Sequence, residues 1–170
     1  MVGTALITGA TGTVGSEVAK QLSLAGQRVR GAVHSTTRAS SHEKLKGVEL
    51  VEIDYNKPGT LVAAFKDIDK LFLLTPASSE AAEIATNLVN EAKKGGIRHI
   101  VKQSIIGADS GLDVAHLRLH RQAEKIIEES GIPFTFLRPN DFMQNFVNFY
   151  GPTIKSKNVF YLPAEESALC

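Results

Sequence analysis

The sequence predicts an α/β fold in which a doubly wound parallel sheet lies between two layers of helices. Six short runs rich in Val, Ile, Leu, Phe and Thr alternate with segments whose apolar residues recur at helical spacing. The runs are nearly continuous in apolar character, which is typical of parallel strands that helices cover on both faces. The predicted strands are residues 4–8, 28–33, 48–53, 70–75, 99–104 and 134–137.

Helices are predicted between these strands. Apolar residues recur about every four positions in residues 14–22 and again in residues 84–92, and a third helical pattern ends at Ser130. Glycine follows each pattern, and a residue without a Cβ favours the left-handed conformation that ends many helices. The glycines at these places are Gly26, Gly95, Gly96 and Gly131.

The composition is that of a single domain that folds around a core. The chain has 170 residues, 43% hydrophobic and 22% charged, and 19 basic residues against 18 acidic ones leave a net charge of +1. No overall field recruits nucleic acid or an anionic membrane, so neither partner is expected. The one cysteine, Cys170, excludes an internal disulfide. The start, MVGTALITGATG, resembles neither a signal peptide nor a membrane span, so we expect a cytoplasmic protein.

The segment GATGTVG joins the first predicted strand to the first predicted helix. Three glycines at this spacing allow a tight turn, a close approach of the backbone to a pyrophosphate, and close packing of the helix on the strand. The N–H groups and the positive dipole end of the helix favour the same anion. A tight turn without a ligand is the alternative, but one glycine would serve it. We therefore expect a dinucleotide, held by Gly9, Thr11, Gly12, Thr13, Val14 and Gly15.

The segment after the second predicted strand favours NADP(H) over NAD(H). An acidic residue here would bind the 2′-hydroxyl of the adenine ribose, but no Asp or Glu occurs between Glu17 and Glu43. Side chains that are or can become cationic occur instead: Arg30, His34, Arg38 and His42. A 2′-phosphate would find donors in His34, Ser35 and Arg38, although a solvated basic loop would have the same composition.

Three segments resemble the NmrA-like branch of the atypical short-chain dehydrogenase/reductase superfamily: GATGTVG, residues 96–109 and residues 120–146. The resemblance spans essentially the whole chain. It implies a Rossmann-like NAD(P)-binding domain over residues 1–150 and, over residues 151–170, the start of an incomplete C-terminal substrate lobe. The branch includes NADPH-dependent quinone, azo-dye and triarylmethane-dye reductases alongside non-catalytic NADP-sensing regulators, so the resemblance does not choose between catalysis and sensing.

The resemblance also implies further contacts to the cofactor. Asp54 and Tyr55, after the third predicted strand, match the pair that lies near the adenine in the family. Leu74, Thr75 and Pro76, after the fourth predicted strand, match the loop that runs along the ribose. The alternative is that Asp54 is an ordinary turn residue and that the others are ordinary loop residues.

The Tyr-x-x-x-Lys motif, by which the alcohol-oxidising members of the superfamily relay a proton, is absent from the chain. His116 and His120 stand at the matching places, on one helix face. No metal is expected, because the intervening LRL offers no Glu and no third ligand is evident. Two roles stay open for the histidines: hydrogen bonding at the helix surface, or a proton-donating or substrate-lining role near the usual histidine pKa of about 6.5. Ser104, which ends the fifth predicted strand, could donate to a substrate oxygen or cap the loop.

Residues 138–150, RPNDFMQNFVNFY, follow the sixth predicted strand and include the residues predicted to line the substrate, namely Asn140, Phe142 and Met143. The alternative is that the apolar side chains of this segment form the core face of a short helix. We expect a reductase that transfers hydride from NADPH to a small quinone-like or aromatic dye-type molecule, with solvent able to supply the proton. An NADP-sensing regulator that acts through protein partners is the alternative, and either protein could be oligomeric.

Overall fold

The computed structural model describes residues 3–40, 42–76 and 78–159, without the side chains of residues 149 and 150. The chain divides into two compact units, Met1–Arg138 and Pro139–Cys170. The strands of the first unit are β1 (Thr4–Ile7), β2 (Arg28–Val33), β3 (Glu49–Glu52), β4 (Lys70–Leu73), β5 (His99–Gln103) and β6 (Phe134–Leu137). Its α-helices are α1 (Thr13–Leu24), α2 (Thr36–Ala39), α3 (Pro58–Phe65), α4 (Ala81–Lys94) and α5 (Ala115–Ser130), and a 3₁₀ turn covers Glu43–Leu45.

The six strands form one parallel sheet in the order β3-β2-β1-β4-β5-β6. The chain runs outward from β1 to β3, crosses back to β4 and runs outward in the other direction to β6. The carboxyl ends of β1 and β4 therefore meet where the direction of winding reverses, which is where open α/β sheets bind their ligands. The predicted doubly wound α/β fold is confirmed.

The core lies on both faces of the sheet. Leu6 and Ile7 are consecutive residues of β1, so they point to opposite faces, and both are fully buried. Leu6 belongs to a cluster that includes residues of α3, α4 and α5, whereas Ile7 packs with residues of α1 and β2. The expectation of burial on both faces is wrong for β6, where Phe134 is 40% and Leu137 46% exposed. β6 is the edge strand of the described sheet, so less of the first unit covers it.

The ends of the predicted elements differ from the observed ones for local reasons. Thr8, Leu74 and Ser104 were predicted within strands but lie just beyond the ends of β1, β4 and β5, in the loops that carry the candidate site. The glycine caps are confirmed at Gly26, Gly96 and Gly131, which have φ angles of +74°, +69° and +76°. Gly95 has a φ of −76° and does not adopt the left-handed conformation.

The second unit begins with an irregular segment and continues through a π-helical turn at Phe146–Tyr150 into helix α6, Gly151–Lys157. The boundary between the two units falls after Arg138, earlier than the predicted boundary at residue 150, and the assignment of residues 151–170 to a substrate lobe stays a prediction. Residues 160–170, including Cys170, lie outside the described residues. Among the helices described, none combines the length and apolar character that crossing a membrane requires.

Candidate functional site

The three glycines of the loop between β1 and α1 have different local environments. Gly9 has a φ of +61°, which favours a residue without a Cβ, and its carbonyl oxygen accepts a hydrogen bond from the Gly12 N–H at 2.9 Å. A Cβ on Gly15 would lie 2.2 Å from that carbonyl oxygen, so Gly15 allows the helix to pack on the loop. A Cβ on Gly12 would meet the same oxygen at 3.3 Å, with no other heavy atom within 4 Å. A side chain at position 12 would therefore disturb the fold less than a side chain at position 9 or 15.

Helix α1 begins at Thr13 with Gly12 as its N-cap, and no side chain accepts a hydrogen bond at this cap. Its first turn contains no acidic residue. Thr11, Gly12 and Thr13 are exposed, and Val14 is half-buried. The N-terminal N–H groups of a helix have no partner within the helix and carry its positive dipole end. The six predicted glycine-loop residues therefore surround a helix terminus that suits a phosphate group.

The loop after β4 lies beside the glycine loop because Thr8 connects them. The Thr8 hydroxyl is fully buried and donates to the Leu74 carbonyl oxygen at 2.8 Å. The Thr8 hydroxyl oxygen also accepts a hydrogen bond from the Leu74 N–H at 2.7 Å. Thr75 and Pro76 follow directly, so the loop predicted to run along the ribose lies at the switch point. Sequence reasoning missed Thr8, whose only signal was a hydroxyl residue directly before Gly9.

A cavity of about 380 Å³ lies beyond the ends of β2, β3 and β4. It brings together four residues predicted to contact the cofactor: His34, Asp54, Tyr55 and Pro76. Its other lining residues are Asn56, Ser78, Glu80, Glu83, Ile84 and Asn87. Residues that are far apart in sequence therefore form one cavity, as the resemblance implies for an adenosine site.

The geometry inside this cavity is set by turns and by one ring contact. The rings of His34 and Tyr55 meet edge to face, with centroids 5.8 Å apart and planes at 90°. Burial raises the pKa of Tyr55, so its hydroxyl stays protonated. The Asp54 carboxylate accepts from the Lys57 ammonium at 3.0 Å and from the Asn56 N–H at 3.0 Å, and these contacts lower its pKa. Asp54 is therefore an ionised turn residue as well as part of the cavity wall.

The remaining residues predicted near the 2′-phosphate lie next to this cavity without lining it. The Ser35 hydroxyl caps α2 by accepting from the Arg38 N–H at 3.5 Å, and Arg38 is exposed. Arg30, another basic residue of this segment, has its partners elsewhere. Its guanidinium donates to Glu49 at 2.8 Å and to the carbonyl oxygens of Ala64 and Lys66, because it lies within β2 rather than beyond its end.

Sequence reasoning missed the wall that α4 contributes to the cavity. Glu80, Glu83 and Asn87 lie there, next to Ser78. The Ser78 hydroxyl oxygen is buried and has no hydrogen-bond partner among the described residues, so it is available to a ligand. The only signal in the sequence was that α4 follows directly after the loop at residues 74–76.

The two histidines of α5 lie together beside the loop after β4. Their ring centroids are 4.9 Å apart, with the planes at 81°. They share a small cavity of about 30 Å³ with Thr75 and Pro76, and Ala81 and Leu119 complete its lining. His116 is exposed and His120 is half-buried. The predicted histidine pair is therefore next to the predicted ribose loop.

His120 does not have the ordinary properties of a surface histidine. Burial lowers its pKa to about 4, and the positive charges of Lys102 and His116 contribute to the shift. Its Nδ1 atom is buried and has no hydrogen-bond partner among the described residues. This pKa lies well below the ordinary value of about 6.5, so the imidazolium is the minor form above about pH 4, and a proton-donating role for His120 stays a prediction. At neutral pH the ring is uncharged.

A group of buried polar side chains lies between β5 and α5. Glu124 is fully buried, and its carboxylate accepts two hydrogen bonds from Arg138, both at 2.9 Å, and one from Arg121 at 3.1 Å. Burial alone would raise the pKa of Glu124, but these bonds outweigh it and hold the pKa below its usual value. Lys102 on β5 is also fully buried. Sequence reasoning missed this group, because Lys102 and Arg138 come from parts of the chain other than α5.

Ser104 belongs to the same group. Its N–H donates to the Leu137 carbonyl oxygen at 2.7 Å, which continues the pairing of β5 with β6. Its hydroxyl is buried near the Glu124 carboxylate and lowers the pKa of Glu124, without the geometry of a hydrogen bond. The hydroxyl therefore does not cap the loop within the described part of the chain.

The predicted substrate-lining residues belong to the second unit. Asn140 accepts a hydrogen bond from the Asp141 N–H, and Phe142 and Met143 are 38% and 74% exposed. The side chains of Phe149 and Tyr150 lie outside the described residues. A substrate role for Asn140, Phe142 and Met143 stays a prediction. No group of three or more His, Cys, Asp or Glu side chains in the described ranges could hold a metal ion.

The sheet order, the glycine loop and the site at the switch point define a Rossmann-type α/β domain of the short-chain dehydrogenase/reductase kind. The chain belongs to the NmrA-like family, whose model matches residues 1–167. A structure of triphenylmethane reductase from Citrobacter sp., complexed with NADP(H), superimposes with a TM-score of 0.75 at 28% identity, covering 85% of this chain and 52% of that one.

Curated relatives, like the solved structure, match most of this chain but only about half of their own length. The chain is 34% identical to an NAD(P)H azoreductase of Xenophilus azovorans over 95% of its own length and 56% of the relative. It is 30% identical to quinone oxidoreductase 2 of Escherichia coli over 83% of its own length and 50% of the relative. The chain therefore spans about half the length of the curated relatives that it matches.

Proposed function

We propose that this chain binds a nicotinamide dinucleotide, NADP(H) in preference to NAD(H), and reduces a small quinone-like or aromatic dye-type molecule. One observation carries the proposal, namely that a single loop borders both halves of the candidate site. The hydrogen bonds of Thr8 hold this loop beside the glycine loop. Thr75 and Pro76 of the loop also share a cavity with His116 and His120. The helix terminus that suits a phosphate and the pair of histidine rings would then both lie next to this loop, as a dinucleotide extending across the switch point would require.

The residues present fit such a cofactor. The terminus of α1 at Gly12 would hold the pyrophosphate, since Gly12 leaves that terminus without a side-chain cap. The cavity of about 380 Å³ would hold the adenosine half, and the buried Ser78 hydroxyl without a partner is available to bind it. His34, Ser35 and Arg38 would hold a 2′-phosphate. Thr75, His116 and His120 would lie near the nicotinamide half.

The bound cofactor would supply hydride, and the chain would hold the acceptor in reach and exclude water. The names of the relatives support the choice of acceptor, because they reduce azo compounds, quinones and triphenylmethane dyes. The absence of Tyr-x-x-x-Lys from the sequence argues against the alcohol and sugar chemistry of other superfamily members. A cytoplasmic location and an oligomeric assembly remain predictions.

The experiment is a steady-state assay of NADPH oxidation by the purified chain, with a water-soluble quinone, an azo dye and a cationic triarylmethane dye as acceptors. The proposal expects turnover with at least one acceptor and loss of that turnover in Gly12→Asp. Tight binding of NADPH without turnover of any acceptor would contradict the reductase and favour an NADP-sensing regulator. A pull-down of protein partners with and without NADP would then test that alternative.

A further inference from the structure

Lys102 is a buried cation that the fold does not explain. It lies on β5 with no exposed surface, and its ammonium donates a hydrogen bond to the Gln103 carbonyl oxygen at 2.8 Å. No carboxylate forms an ion pair with it among the described residues. Lysine is almost never fully buried without a partner, because removing an ammonium from water costs free energy. A methionine of similar length would pack here without that cost.

The groups around Lys102 leave it available for another role. The paired position on β4 is Leu73 and that on β6 is Phe136, so neither neighbouring strand offers a charge beside it. On α5 the titratable groups that interact with it are Glu124 and His120. Arg138 and Arg121 already hold the Glu124 carboxylate, so Glu124 does not need Lys102 as its partner.

Polar atoms without partners surround the end of β5. The Ser104 hydroxyl and the Nδ1 atom of His120 are both buried and make no hydrogen bond within the described part of the chain. An ammonium has three donors, and Lys102 uses one of them on Gln103. The Lys102 ammonium therefore has unused donors in the same buried region, between β5 and α5, as the unpartnered Ser104 hydroxyl and His120 Nδ1.

The ring of His120 connects this buried region to the candidate site. The ring lines the small cavity with Thr75 and Pro76, while its Nδ1 atom is buried. A neutral imidazole accepts a hydrogen bond at one nitrogen and donates at the other. In the tautomer that carries its proton on Nε2, the buried Nδ1 would be an acceptor and Nε2–H would be a donor for a molecule in the cavity.

We propose that Lys102 is a positioning residue that supplies, through His120, the proton needed to reduce a carbonyl-type acceptor. This inference rests on the proposed reductase function. As hydride adds to a quinone, the oxyanion that forms takes the proton of His120 Nε2. Nδ1 of His120 takes a proton from the Lys102 ammonium, directly or through one water molecule. Lys102 is left as the neutral amine and regains its proton from solvent after the product leaves, so each turnover consumes one hydride and one proton.

The charge states of the two residues suit this order. Burial lowers the pKa of Lys102 to about 8, although Glu124 opposes the shift. The pKa of His120 is about 4, so near neutral pH the lysine still carries its proton and the imidazole is neutral. The donor is lost as the pH rises through the pKa of Lys102. Quinone turnover should therefore decline above about pH 8.

The test compares an acceptor that needs a proton with one that does not. A quinone takes hydride and a proton, whereas a cationic triarylmethane dye takes hydride alone and becomes a neutral leuco dye. In Lys102→Met and in His120→Ala we expect quinone kcat to fall at least about tenfold, since general acid catalysis is typically worth about a hundredfold or more. In Lys102→Met the kcat for the dye should stay within about twofold of the wild-type value. The decline of quinone turnover above about pH 8 should disappear in the same variant. Lys125→Met, which changes an exposed lysine of α5, is the matched control and should alter neither reaction.

Each other outcome is decisive. An equal loss with both acceptors in Lys102→Met would show a structural role, and full quinone turnover in that variant would show that solvent supplies the proton. A second measurement does not depend on activity: the His120 resonances are titrated by NMR, and in Lys102→Met the pKa of His120 should rise. An unchanged pKa would overturn the coupling of the two residues. Failure of the wild-type chain to reduce any acceptor, with the NMR coupling intact, would instead contradict the proposed function and the proton step with it.

Discussion

Thr8 and Leu74 form two hydrogen bonds with each other across the carboxyl ends of β1 and β4. The Thr8 hydroxyl donates to the Leu74 carbonyl oxygen at 2.8 Å and accepts from the Leu74 N–H at 2.7 Å. The residues are 66 positions apart in the chain, so one buried hydroxyl sets the distance between two loops of the candidate site.

Thr8→Val should therefore weaken both folding and cofactor binding. Valine has the same shape but leaves the N–H and C=O groups of Leu74 without the Thr8 partner, which costs about 1–3 kcal/mol for a buried polar group. Urea unfolding would measure the loss of stability, and calorimetry with NADPH the loss of affinity. Thr86→Val is the matched control, since the Thr86 hydroxyl bonds only within α4, to the Ala82 carbonyl oxygen, at an exposed position. An unchanged NADPH affinity in Thr8→Val would show that this link does not position the loop.

Gly12 and Gly15 should respond differently to substitution. Gly12→Asp adds a Cβ that meets one oxygen at 3.3 Å, so the fold should survive, but its carboxylate would repel a phosphate at the terminus of α1. Gly15→Ala places a Cβ 2.2 Å from the Gly9 carbonyl oxygen and should lower Tm by several degrees or prevent folding. Thermal unfolding with and without NADPH measures both effects. A lowered Tm in unliganded Gly12→Asp would show that Gly12 is needed for folding first.

His34 should contribute to the preference for NADPH. A charge-assisted hydrogen bond to a 2′-phosphate contributes roughly 1.5–3 kcal/mol, so the Kd ratio of NADH to NADPH should be on the order of tenfold or more. His34→Ala should reduce that ratio and His34→Arg should keep or increase it. His99→Ala is the control, because His99 lies at the amino end of β5, away from the carboxyl ends of the strands that carry the candidate site, and its ring contacts Thr135. Equal affinity of the wild-type chain for both cofactors would contradict the NADP(H) preference.

The buried Glu124 should make stability depend on Arg138. Arg138→Met leaves the carboxylate with Arg121 alone, and breaking a buried ion pair costs about 3–5 kcal/mol. The control Arg118→Met removes an exposed pair with Asp113, worth at most about 1 kcal/mol. Because Arg138 holds the pKa of Glu124 low, its contribution is present at neutral pH and is lost as the pH falls through that pKa. Urea unfolding at a series of acidic pH values should therefore show the free energies of unfolding of the wild-type chain and of Arg138→Met approaching each other as the pH falls.

The sequence carried enough information for the fold because its signals are local. The alternation of apolar runs and helical patterns predicted all six strands of the described sheet. The spacing of Gly9, Gly12 and Gly15 within seven residues predicted the turn from the first strand to the first helix. Strand ends were less predictable, since Leu74 continues an apolar run but its backbone pairs with the Thr8 side chain instead of a strand.

The buried polar group was not predictable for the opposite reason. Glu124 and Arg138 come from different elements, and only the packing of α5 on the sheet brings them together. Lys102 occupies an alternating position of β5, where the sequence offers no reason to expect a cation in the core. His120 could be located from its spacing to His116, but its lowered pKa depends on burial and on Lys102, which the spacing does not reveal.

The most direct test of the central claim is a calorimetric titration of NADPH into the wild-type chain and into Gly12→Asp. The account predicts saturable binding to the wild-type chain, weaker binding of NADH, and no binding of either cofactor to a folded Gly12→Asp. Absence of NADPH binding to the wild-type chain, or undiminished binding to Gly12→Asp, would contradict the account.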